Sequence, residues 1–170
     1  MVRPNDPGFD TEGAGDQDAG IFGLSFSASE ANVVLIPVPW EPTTSYRKGT
    51  ARGPAAIAAA SPQLDLLDAE LAEFGLSRPW AWGIHMLETD PQIRVWNEEA
   101  TSRAAGVIER GGRISGDATL QLDLSRVNEL SHALDARVQK LASVQFASGK
   151  IAFFQYVAVG VLVFLISGFW

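Results

Sequence analysis

The chain reads as an α/β protein with a partial parallel sheet, and three features of its sequence say so. Val33, Val34, Leu35, Ile36 and Val38 form a short apolar run closed by Pro37 and Pro39, the pattern of a strand buried on both faces. Two later stretches repeat apolar residues at three- and four-residue steps between an acidic cap and a glycine, as helices covering a sheet do. After Gly149-Lys150 the chain enters an uncharged run, Ile151 to Trp170, rich in β-branched and aromatic residues. A strand, then helices, then an apolar run is the rhythm of parallel α/β units.

The elements follow in order. The first strand spans Ala31 to Pro39, with its prolines at the end, where they leave the ladder intact. Trp40 to Arg52 is a polar loop that delivers the chain to Gly53-Pro54. A helix begins there, because proline at the first helical position loses no useful donor and Ala55 to Ala60 are strong helix formers until Ser61-Pro62. Leu64, Leu66 and Leu67 suit a short extended piece. A second strand is expected over Pro79 to Met86, where Trp80, Trp82, Ile84 and Met86 alternate with smaller or polar residues. Asp90 then caps a helix with Pro91 in its first turn and Ile93, Trp96, Ala100, Ala104 and Val107 on one stripe, ending at Gly111-Gly112. The last helix is expected over Leu124 to Ser148, capped by Asp123 or Ser125 and stopped by Gly149. Val127, Leu130, Leu134, Val138 and Leu141 form its inward stripe. Element order makes Ile151 to Val159 a sheet strand.

Length and composition bound the function. A chain of 170 residues with 46% hydrophobic content builds one core without staples, and the absence of cysteine removes disulfides, thiolate metal sites and cysteine nucleophiles together. That favours a reducing, cytoplasmic setting, and no basic segment followed by an apolar run opens the chain. The net charge of −7 is concentrated in residues 1–30, where Asp6, Asp10, Glu12, Asp16, Asp18 and Glu30 face Arg3 alone. Residues 1–30 are therefore expected to be an acidic, poorly ordered arm, residues 31–150 the α/β domain, and residues 151–170 an apolar tail. An acidic chain without a basic stripe is a poor nucleic-acid binder.

The tail keeps two readings. Twenty helical residues span about 30 Å, the thickness of a bilayer core, so residues 151–170 suit a membrane anchor as well as a buried strand. The membrane alternative is a tail-anchored protein with a non-catalytic cytosolic binding domain.

Catalytic side chains are scarce. His85 falls in the second strand and His132 on the last helix, neither with a second ligand at useful spacing, and no Asp, Glu or His follows Asp135. Gly13-Ala14-Gly15 precedes the first strand, whereas a dinucleotide-binding turn follows one. The Gly49 to Pro54 turn, with Arg47, Lys48 and Arg52, could present donors and positive charge to an anion at a helix start, or simply hold its cations in solvent.

One string is specific. Val33-Val-Leu-Ile-Pro-Val-Pro-Trp40, Thr43-Thr-Ser-Tyr-Arg-Lys-Gly-Thr-Ala-Arg-Gly-Pro54 and Ala55 to Ser61 together resemble the opening of the ureohydrolase family, which includes arginases, agmatinases and formimidoylglutamases. The agmatinase-like branch is the most similar. Arg3-Pro-Asn-Asp-Pro-Gly-Phe9, Ile21-Phe-Gly-Leu24 and Trp82-Gly-Ile84 resemble bacterial members more weakly, and the likeness runs to Lys150.

The resemblance implies an arginase-like α/β/α sandwich, here an incomplete three-layer one. It also implies hydrolysis of guanidino or formimino C–N bonds by water activated between two manganese ions, agmatine to putrescine and urea being the type reaction. Family ligands come from Gly-Gly-Asp-His-Ser, Asp-Ala-His-x-Asp and Asp-x-Asp segments, and this sequence contains none of them. Where the first should follow the strand, the chain reads Gln155-Tyr156-Val157-Ala158-Val159-Gly160. The expectation is therefore a truncated or frame-shifted ureohydrolase, with no catalytic or metal residue and no cofactor of its own. Tyr46, Arg47, Gly49, Gly53 and Pro54 match the family as scaffold or oligomer-contact positions. An incomplete sheet would leave an edge open to a second copy or to a complete family member.

Overall fold

A computed structural model describes residues 15–16, 18–44, 47–64, 66, 79–149, 151–158 and 161–165. Strand β1 (Val33–Ile36) lies at the centre of the sheet order β2-β1-β3-β4. It pairs in parallel with β2 (Ile84–Met86) and with β3 (Ile151–Ala158), while β4 (Val161–Leu165) returns antiparallel to β3. The register sets Val33 against Ile84 on one side and Ile151 on the other.

Within the tail, residues 151–158 and 161–165 are extended strands. Among the described residues, no helix is long and apolar enough to cross a membrane.

Helix α1 (Gly53–Ala60) begins at the expected glycine-proline pair and passes into a 3-10 turn at Ser61–Gln63. Leu64 is extended, as expected, whereas Leu67 lies outside the described residues. Helix α2 (Pro91–Glu109) starts at Asp90, whose carboxylate accepts the Gln92 N–H at 2.9 Å.

Helix α3 (Ala118–Ala147) starts earlier than Leu124. Its cap is Asp117, which accepts from the N–H groups of Thr119 and Leu120, each at 3.1 Å. Asp123 lies inside the helix and pairs with Arg103 of α2 at 2.9 Å. Gly149 ends the run with a φ of 75°.

The expected strand over Pro79 to Met86 is halved. Pro79–Trp82 forms a 3-10 turn, and only Ile84–Met86 joins the sheet. Gly83 separates them at a φ of 79°, where a Cβ would come within 2.9 Å of the Phe26 ring and 3.0 Å of the Ala31 Cα. The alternation was real in sequence, but a left-handed glycine in its middle flips the chain out of extended geometry. Trp80 is buried within the turn and donates its indole N–H to the Leu66 carbonyl at 2.7 Å.

Helices α2 and α3 pack together on the face of β1 that carries the buried Val34 and Ile36; Val33 and Leu35 on the other face are half-buried. The core joins Ile36 and Val38 to Ile93 of α2 and to Leu134, Val138 and Ala142 of α3. A second cluster sets Ala100 and Ala104 against Val127 and Leu130. Trp40, just past β1, packs on both. From the acidic arm, Ile21 and Leu24 are buried, and the Phe22 N–H donates to the Ser61 hydroxyl at 2.8 Å, so this part packs on the body.

Candidate functional site

The loop from Trp40 to Arg52 leaves the carboxyl end of a parallel strand, the side of an open α/β sheet where ligands usually bind. Its first residues are tied down. The Glu41 N–H donates to Asn97 Oδ1 of α2 at 2.7 Å, and the Thr44 hydroxyl donates to the Glu41 carbonyl at 3.0 Å. Pro42 is fully buried between them.

The backbone donors of the Gly49 turn hold an anion, and it is the chain's own carboxylate. Glu41 Oε2 accepts the N–H of Gly49 at 2.6 Å and that of Ala51 at 3.1 Å. Burial pushes the Glu41 carboxyl up. The Ala51 and Gly49 donors, the Lys48 charge and the Thr50 N–H together outweigh that, and its pKa lies below the ordinary 4.5. Gly49 makes the turn possible with a φ of 128°. The Arg52 guanidinium lies so close over it that a Cβ there would stand 2.8 Å from Nη2.

The family-matching positions divide accordingly. Gly49 and Gly53 shape the turn, Gly53 as the first residue of α1, and Pro54 is buried behind it. Arg47 is exposed, and Tyr46 lies outside the described residues. Glu41 and Asn97, which organise the loop, were not singled out in the sequence. The available signal was a carboxylate eight residues before the turn glycine.

Two clefts adjoin the start of α1, at Pro54 and Ala55. The larger, about 510 Å³, opens at the carboxyl ends of β1 and β2 between Pro37, Met86 and Leu87 and the Ala55/Ala58 face of α1. The smaller, about 280 Å³, lies between the turn and α2 and is lined by Arg52, Pro54, Thr89, Arg94, Asn97 and Glu98 among others.

A two-manganese centre needs several carboxylates and imidazoles converging on one point. Among the described residues no group of three or more His, Asp or Glu does so. His85 Nδ1 lies 2.6 Å from the Phe26 carbonyl, and His132 is exposed on α3. The donors among the described residues do not fit that centre.

A proline-closed parallel strand, a Glu41-filled turn and a Gly-Pro-led helix make up the opening α/β unit of the chain. Residues 31–114, from just before β1 to past the end of α2, match the Arginase family. The matched stretch ends at Ile114, short of Lys150. An N(1)-aminopropylagmatine ureohydrolase from Synechocystis is 53% identical over 45 residues, 26% of this chain. The aligned part is 15% of that relative's length. No solved structure matches.

Proposed function

We propose that this chain is the amino-terminal scaffold of an agmatinase-like ureohydrolase, the part that precedes the metal-ligand segments, and that it has no hydrolase activity by itself. The observation that carries the reading is the family match across β1, the Glu41 loop, α1, β2 and α2. The similarity to an aminopropylagmatine ureohydrolase supports a guanidino compound as the substrate class of the complete enzyme. In such an enzyme two manganese ions supply an activated water. This chain's residues would contribute the rigid carboxyl-end loop and the helix pair that hold the sheet in place. The second helical layer of a three-layer sandwich would also come from outside residues 31–150. The cysteine-free composition suits the cytoplasm.

A manganese titration followed by the electron paramagnetic resonance of the free ion tests this. The expected result is a free-ion signal that rises in proportion to added metal from the first addition. Saturable uptake of two ions per chain would overturn the reading, because it would require a ligand set that the three absent segments normally provide.

A further inference from the structure

Glu41 occupies the Gly49 and Ala51 N–H groups of the turn, so any further anion beside it must be held by side chains. Arg103, Arg126 and Arg137 on the helix pair each bond a carboxylate: Arg103 and Arg126 bond Glu99, and Arg137 bonds Asp90. Arg52 and Arg94 are different. Both line the 280 Å³ cleft, and neither has a carboxylate within ion-pair distance among the described residues. Glu98, on the same wall and one helical turn from Arg94, forms no ion pair with either.

We propose that this cleft binds a small doubly charged oxyanion of the phosphate type. A guanidinium offers a planar fork of donors that matches phosphate oxygens, and two of them balance a dianion. The Thr89 hydroxyl and the Asn97 amide, whose oxygen is committed to the Glu41 N–H, add neutral donors on the same wall. Gly49 contributes by absence: with no Cβ, it leaves room for the Arg52 guanidinium against the turn. The Glu98 carboxylate opposes an anion and sets an upper limit on its affinity.

The proposal is independent of hydrolase activity and is tested on the full chain with inorganic phosphate as the probe. Isothermal titration at low ionic strength, against a chloride control of equal ionic strength, is expected to give one saturable site with a dissociation constant on the order of millimolar. R52Q/R94Q should weaken it about tenfold or more, E98Q should tighten it, and R113Q, which changes an exposed arginine far from the cleft, should leave it unchanged. Circular dichroism of each variant, matched to the parent chain, establishes that the fold is kept. Absence of saturable binding, retention of binding by folded R52Q/R94Q, or an equal loss in R113Q would overturn the site.

Discussion

Glu41 is the residue on which the loop depends. Its carboxylate replaces water for the Gly49 and Ala51 N–H groups, and hydrogen bonds to a charged acceptor are worth about 1.5–3 kcal/mol each in net stability. Glu41→Gln should therefore lower the unfolding free energy by about 1–3 kcal/mol in urea melts, since the amide oxygen keeps part of the geometry but not the charge. The sign of the pH effect follows from a folded pKa below the unfolded one. The stabilisation is complete above the ordinary value of 4.5 and is lost as pH falls through the lower folded value. Melts of parent and E41Q chains should converge at low pH; a difference that stays constant down to pH 2 would contradict this role. Gly49→Ala tests the turn itself. An alanine at a φ of 128° is strained, whereas the nearby Arg52 tip can swing away, so the cost of about 1 kcal/mol or more should come from the backbone. Restoration of stability by adding R52A to G49A would place the cost in the side-chain clash instead.

Among the elements, the α2–α3 pair carries the core. Leu134 is 1% exposed between Ile36 and Ile93, and Leu134→Ala should cost about 2–5 kcal/mol by the transfer and cavity terms together. Asp117→Ala should cost about 1 kcal/mol by leaving the Thr119 and Leu120 N–H groups uncapped, and D123A much less. A larger loss in D123A than in D117A, read from the same melts, would return the helix start to the later position. Where a local chemical signal fixes an element, it was legible in the sequence. Asp90-Pro91 opens α2, Gly53-Pro54 opens α1, and Gly149 closes α3, because caps and φ constraints act within a few residues. The early start of α3 was not legible. Its first turns, Ala118 to Asp123, lie outside the buried stripe that begins at Val127, so apolar periodicity is silent there. Pro79–Trp82 failed for the opposite reason: alternation of large side chains imitates a strand, and the φ of 79° at Gly83 belongs to tertiary context with Phe26 and Ala31. The Glu41 contact escaped likewise, since only the folded loop brings it to Gly49.

At the scale of the molecule, the sheet formed by the described residues has β2 at one side and β4 at the other. Val161–Leu165 contains no charge or proline, the devices that keep an edge strand from pairing with another chain. Association through this edge, with a second copy or with a complete ureohydrolase, is the partner chemistry the scaffold proposes. Sedimentation velocity should show the weight-average mass rising with concentration, and Val163→Lys should suppress the rise; a parent chain that stays monomeric at high concentration would remove the idea. The central claim is narrower. We propose that a stretch matching the Arginase family stands here without the residues that perform that family's chemistry. The most direct measurement is urea release from agmatine and from aminopropylagmatine by the purified chain in excess manganese, with its fold verified by circular dichroism. The folded chain should release no urea above a metal-only control, and manganese-dependent turnover that copurifies with it would contradict the account.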